Sequence, residues 1–249
     1  MTNMNISKSV IPNTITSLNL LSGFVSIVLT GSGDYKSAGI LIIVAAIFDT
    51  LDGIVARLLK VSGRFGVELD SLGDVVSFGA APAFLIYKSY LFHLDYWGVI
   101  ISSCLLIFGA LRLARFNIQL VEIATKSDFK GLPIPLSAIT IAMLVITFHE
   151  EELQSPLVTY LVIGLIIMLS LLMVSKIRYN ALPKLKNKKL KEKMVLFVAL
   201  ILALILVLVT NGAGLFYIFL SWVLFGILRH VFYLIFDDKK KVTFKEETN

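Results

Sequence analysis

A succession of apolar runs, each close to the length that crosses a bilayer, constrains this chain more than any other feature. Roughly 20 helical residues span the ~30 Å hydrocarbon layer. Runs of that order recur at about 14–32, 36–60, 67–90, 97–124, 132–149, 155–175, 194–210 and 213–236. Backbone groups in hydrocarbon must find partners within their own segment, so such runs become helices and not open strands. The expected fold is therefore all-α and polytopic, with eight spans in 249 residues. Charged residues make up 16% of the chain, against about 25% in soluble domains. The first run reads as a retained helix, not a cleaved leader: Lys8 alone among cations precedes it, no small-residue cleavage pattern follows, and further spans come at once.

The single cysteine, Cys104, sits inside an apolar run, which excludes an intrachain disulfide and paired-cysteine metal sites. The net charge of +6 raises the question of nucleic acid. The basic residues sit beside apolar runs with no aromatic-interleaved patch, so the expectation is no nucleic-acid partner and contact with membrane lipid instead. Lys60 and Arg64, then Arg115, Lys126 and Lys130, then the stretch Lys176 to Lys193, then Lys239, Lys240, Lys241 and Lys245 fall in alternate connections and the tail. By the positive-inside rule these are cytoplasmic, which places both termini inside a cell membrane. The basic stretch also divides the chain. Residues 1–176 are expected to form a six-helix core, 177–193 a cytoplasmic linker, 194–236 a two-helix appendage and 237–249 a charged cytoplasmic tail.

Four carboxylates contradict the apolar pattern. Asp49, Asp52, Asp70 and Asp74 fall within hydrophobic helical segments, where an ionisable group costs a few kcal/mol even on lenient scales. Asp49 and Asp52 are three apart and Asp70 and Asp74 four apart, so each pair shares one helical face. A short connection with Ser62, Gly63 and Gly66 makes the two helices antiparallel neighbours, and the pairs can converge. Converging carboxylates repel unless cations sit among them, and hard oxygen ligands favour Mg²⁺, Mn²⁺ or Ca²⁺ over zinc. Two other readings stay open here: salt bridges to Arg57, Arg64, Arg112 or Arg115, and a proton or cation route. Gly53, beside Asp52, leaves room for a bulky phosphate, whereas other small residues nearby serve helix packing.

Asp52-Gly53, Ala56-Arg57, Gly66, Asp70 and Asp74, at these spacings, resemble the signature of the CDP-alcohol phosphotransferase family, and Asp49 supplies its further upstream aspartate. Pro12-Asn13 with Thr16 and Asn19, the run Arg112 to Asn117, and Phe129 to Pro135 are similar to the phosphatidylserine synthase branch of that family. Gly63 departs from relatives that often carry Ser or Thr there, and Ser62 is its nearest substitute.

The resemblance implies a membrane enzyme that moves the phosphatidyl group of CDP-diacylglycerol onto a small alcohol, L-serine for that branch, and releases CMP. It implies two divalent cations, Mg²⁺ or Mn²⁺, bound by Asp49, Asp52, Asp70 and Asp74, with Asp74 also the general base. It further implies a CDP-lipid site at Asn13, Thr16, Gly53, Arg57, Gly63 and Gly66, with the active site at the cytoplasmic face. A homodimer is expected on the same ground. Arg112, Arg115, Asn117 and Lys130 are the candidate acceptor contacts, the arginines because a guanidinium can grip a carboxylate with two hydrogen bonds. Glycerol 3-phosphate or inositol as acceptor is the alternative within the family. An ion-translocating protein is the alternative outside it.

Overall fold

A computed structural model describes residues 9–61, 63–122, 131–149, 155–177 and 213–246. Among these residues all regular structure is helical. The first pair, α1 (Val10–Ser32) and α2 (Tyr35–Leu59), is joined by a two-residue reversal that its chemistry dictates. Gly33 closes α1 in the left-handed conformation at φ 90°, a region glycine enters without a Cβ clash. Asp34 then caps α2, its carboxylate accepting from the Ser37 amide at 3.1 Å.

The third run is not one regular helix. It comprises α3 (Arg64–Asp74), a π-helical turn (Val75–Ala80), α4 (Ala81–Ile86), a second π turn (Tyr87–Leu91) and a 3₁₀ turn (Phe92–Leu94). Pro82 supplies part of the reason, since it cannot donate into the ladder of a continuous α-helix. The chain then reverses at Asp95, whose φ is 49°, into α5 (Asp95–Glu122). There Gly98 lies so close to the Leu91 carbonyl that no side chain fits.

Next come α6 (Ile134–Phe148), α7 (Pro156–Val174) and α8 (Ala213–Glu246). Pro133 caps α6 and Pro135 lies in its first turn, the helix-starting use expected of them. Ser155 caps α7 by accepting from the Val158 amide at 3.3 Å.

The boundaries correct the sequence reading at three points. The first helix begins at Val10, so Pro12 and Asn13 lie within it and not ahead of it. A proline in the first turn is compatible with helix, and the polar residues are accommodated because they face protein. The third run begins at Arg64, which places Gly66 inside the helix. The last helix continues past 236 to Glu246, because the Lys- and Glu-rich tail is made of good helix formers. The expected span 194–210, the linker beyond residue 177 and the loop glutamates at 150–152 lie outside the described residues.

Five helical segments are long and apolar enough to cross a membrane, and α6 is a shorter apolar helix. The chain is a multi-pass membrane protein. Its interior is a layer of fully buried side chains, including Ile42, Leu85, Ile86, Ile141, Ile166 and Leu169. Its outer faces carry large exposed apolar groups such as Leu21, Phe24, Val28, Leu161 and Phe225, suited to lipid. Because lipid is as apolar as leucine, helix association depends on close packing and polar contacts. Gly23 of α1 meets Ser77 with no room for a Cβ, and this brings α1 tightly against the segment that follows Asp74.

Candidate active site

One face of α1 is small and polar where its other faces are apolar: Pro12, Thr16, Asn19, Gly23, Ser26 and Thr30 recur at helical spacing and are buried. Two of them reach carboxylates on other helices. The Thr16 hydroxyl lies 2.7 Å from Asp52 Oδ2 and 3.0 Å from the Pro12 carbonyl. One hydroxyl carries one proton, and the shorter, charge-assisted bond to the carboxylate is the stronger. Asn19 donates from Nδ2 to Asp74 Oδ1 at 3.3 Å. The Ser77 hydroxyl in turn donates to the Asn19 carbonyl at 3.0 Å, clamping α1 to the π turn.

Asp49, Asp70 and Asp74 each offer a carboxylate oxygen within 4.8 Å of the others. They come from α2 and α3, whose short antiparallel connection places the two helix faces together. Asp52 stands beside this group, held by Thr16, and it and Asp74 are only 6% and 7% exposed. Asp49 lies in the field of Asp70 and Asp52, and Asp74 in the field of all three other carboxylates. Asp70 Oδ1 is buried and has no hydrogen-bond partner among the described residues. Clustered anions with an unsatisfied buried oxygen fit a divalent cation bound through oxygen. CDP-alcohol phosphotransferases use such metals, and this cluster could hold one.

Among the described residues, the arginines do not form a salt-bridge lattice around these acids. Arg57 folds back so that Nε donates to the Gly53 carbonyl at 2.8 Å. Arg115 is exposed and donates from Nη1 to the Val174 carbonyl at 3.3 Å, where the end of α7 leaves acceptors unpaired. Arg112 lies in the field of Asp74, and its Nε is buried without a hydrogen-bond partner among the described residues.

A cavity of about 260 Å³ opens beside the cluster, lined by Asn13, Thr16, Asp52, Gly53, Ala56, Gly63, Gly66 and Asp70, with Ser9, Pro12, Val61, Phe65 and Val67. Asp70 belongs to both the cavity wall and the aspartate group. A Cβ at Gly53 would meet nothing nearer than the Arg57 guanidinium at 4.0 Å, and one at Gly63 would meet nothing within 4 Å. At Gly66 it would lie 3.2 Å from Asn13 Oδ1, so this glycine brings α3 close to α1.

Of the residues singled out in the sequence, the structure gathers Asn13, Thr16, Gly53, Gly63 and Gly66 around the cavity, and Arg57 beside it. The acceptor candidates on α5 make separate contacts. Arg112 lies near Asp74, Asn117 donates from Nδ2 to Ser71 Oγ at 2.9 Å, and Arg115 is tied to α7. Lys130 and Ser62 lie outside the described residues. Three contacts were not anticipated: Asn19 on Asp74, Ser77 on Asn19, and Ser71 on Asn117. Asn19 was legible as the next polar step after Thr16 in an apolar helix, whereas the serines carried no such signal.

Comparison with known proteins agrees with this geometry. The model of the CDP-alcohol phosphatidyltransferase family matches residues 9–169. A CDP-diacylglycerol–serine O-phosphatidyltransferase of Helicobacter pylori is 34% identical over 224 residues, covering 90% of this chain and 92% of that protein. An archaetidylserine synthase of Methanothermobacter thermautotrophicus is 38% identical over 172 residues, 68% of this chain and 69% of that protein. A CDP-diacylglycerol–serine O-phosphatidyltransferase of Methanocaldococcus jannaschii is 41% identical over 174 residues, 70% and 74% respectively. With more than half its length matched by the family model and its aspartates gathered at one point, the chain belongs to the CDP-alcohol phosphatidyltransferase family.

Proposed function

We propose that this protein transfers the phosphatidyl group of CDP-diacylglycerol to the hydroxyl of L-serine, giving phosphatidylserine and CMP. The observation that carries the reading is the convergence of Asp49, Asp70 and Asp74 against a cavity walled by Asp52 and Gly53. Serine as acceptor is supported by the names of relatives that cover most of the chain.

The CDP-lipid enters with its cytidine and phosphates in the cavity between α1, α2 and α3, and its acyl chains in the bilayer. Asn13 and Thr16 line the nucleotide side. Gly53, Gly63 and Gly66 keep the walls low enough for phosphate, and Arg57 presents its guanidinium beside them. Asp49, Asp52, Asp70 and Asp74 would hold two divalent cations, Mg²⁺ or Mn²⁺, whose charge would offset that of the diphosphate and of the leaving CMP. Asp74 takes the proton from the serine hydroxyl. The oxygen so freed attacks the phosphorus that bears the diacylglycerol; a new P–O bond forms, the bridging P–O bond breaks, and CMP departs with that electron pair. Arg112, beside Asp74, grips the serine carboxylate. Asn117 steadies the α3–α5 contact through Ser71, and Arg115 and Lys130 mark the cytoplasmic rim.

The lysine- and arginine-rich connections support a site and both termini on the cytoplasmic side of the cell membrane. The core of residues 1–176, the linker 177–193, the appendage 194–236, the tail 237–249 and a homodimer belong to the same reading. CMP release by purified protein from CDP-diacylglycerol, with serine, glycerol 3-phosphate or inositol offered separately, tests it. Serine-dependent release is expected. Release with another alcohol alone would move the acceptor, and no release with any of them would return the aspartates to an ion route.

A further inference from the structure

Asn19 is fully enclosed, with 0% of its surface exposed. Its amide is oriented by chemistry. Only the NH₂ end can donate to a carboxylate, and it does so to Asp74 Oδ1 at 3.3 Å. The opposite end, Oδ1, is therefore turned away from that bond, and it has no hydrogen-bond partner among the described residues. Ser77 donates to the main-chain carbonyl of the same residue at 3.0 Å. A buried acceptor left unsatisfied is unfavourable. When it lies one amide group from the proposed base, the partner it lacks is a donor that arrives with substrate.

The CDP-lipid has donors only on its cytosine amine and ribose hydroxyls, and the cavity assigned to it is lined by other residues, Asn19 not among them. The acceptor has the matching group. An amino acid that brings its hydroxyl to Asp74 carries an ammonium on the adjacent carbon, and Arg112, which lies in the field of the same aspartate, offers for its carboxylate a buried Nε–H without a partner among the described residues. A free amide oxygen and a free guanidinium donor flanking one aspartate are complementary to a zwitterion.

We infer that Asn19 is a specificity-determining residue, which holds Asp74 through Nδ2 and receives the ammonium group of the acceptor at Oδ1. This rests on the transfer reaction proposed above, and the two can fail separately.

The test compares L-serine with 3-hydroxypropanoate, which keeps the hydroxyl and carboxylate but lacks the amine, in CMP release by the full-length protein in lipid nanodiscs. A site built to hydrogen-bond a group rejects the analogue that lacks it. Wild type is therefore expected to favour serine by about a hundredfold or more in kcat/KM. Asn19→Ala, or Asn19→Leu where the space must stay filled, is expected to shrink that ratio at least about tenfold. The KM for CDP-diacylglycerol should stay within about threefold of wild type, and Mn²⁺ binding followed by electron paramagnetic resonance should persist, weakened by no more than the roughly 10–100-fold that loss of a ligand's outer-shell partner costs. Equal use of the two acceptors by wild type overturns the inference without any variant. So does a folded Asn19 variant that keeps the full serine preference, or one that loses Mn²⁺ and CDP-lipid binding as well. If wild type releases no CMP with either acceptor or with other alcohols, the reaction itself has been misread.

Discussion

The two sides of the aspartate cluster are built differently. On the α1–α2–α3 side, Asp52 is already bonded to Thr16, Arg57 is already folded onto Gly53, and a cavity stands open between them. On the acceptor side, Arg112 Nε of α5 and Asn19 Oδ1 of α1 are buried without hydrogen-bond partners among the described residues. The first side is organised before any ligand binds. The second has polar groups waiting for one. The contrast fits a bulky, tethered donor that needs a preformed groove and a small diffusing acceptor that completes its own site. Preorganisation lowers the ordering cost of binding where the ligand is large.

Four experiments sharpen or break this contrast. Removing divalent cations with a chelator should have the largest effect. Several kcal/mol of charge stabilisation at about 1.4 kcal/mol per decade amounts to roughly a thousandfold or more in rate, restored by Mg²⁺ or Mn²⁺. Activity indifferent to the chelator would remove the metal from the account. Arg112→Ala should act on the acceptor side alone. Loss of a buried charged contact of about 2 kcal/mol corresponds to roughly a thirtyfold rise in the KM for serine, with the KM for CDP-diacylglycerol unmoved. An equal rise in both would dissolve the distinction between the sides.

Thr16→Val should do the converse. Losing a hydrogen bond to a charged group, about 1.5 kcal/mol, should raise the KM for CDP-diacylglycerol roughly tenfold and leave serine unaffected. Arg115→Ala should change little, under about 0.5 kcal/mol in stability and less than about twofold in either KM, since this exposed side chain bonds a helix-end carbonyl. A large serine KM effect there would restore Arg115 to the acceptor site.

The preformed side was also the more legible in the sequence, for a physical reason. Its ligands lie on two helices joined by a short connection, so their separation in the chain maps directly onto helical faces. Asp49, Asp70 and Asp74 converge as that spacing requires. Asp52 stands outside that group and accepts from Thr16 of a third helix. The acceptor side depends on contacts between helices distant in sequence, such as Asn19 with Asp74 and Asn117 with Ser71. No periodicity within one helix reports such pairs. The sequence also treats 67–90 as one uniform span, whereas Pro82 and two π turns divide it. Apolar runs indicate that a segment crosses the membrane, but leave the local winding to its packing partners. Gly131 illustrates the limit at one residue. Its φ of 87° and its contact with the Met173 carbonyl leave no space for a side chain, and nothing in the surrounding Gly-Leu-Pro sequence announces that neighbour.

The central claim is that Asp74 removes the proton from the acceptor while the donor is held by its neighbours. The most direct measurement is serine-dependent CMP release by Asp74→Asn beside wild type, with CDP-diacylglycerol binding followed in the same preparations. Loss of a positioned base should lower kcat by about 10²–10⁴, with donor affinity within about threefold of wild type. A variant that binds the donor and still turns over at the wild-type rate would contradict the assignment of Asp74 as base.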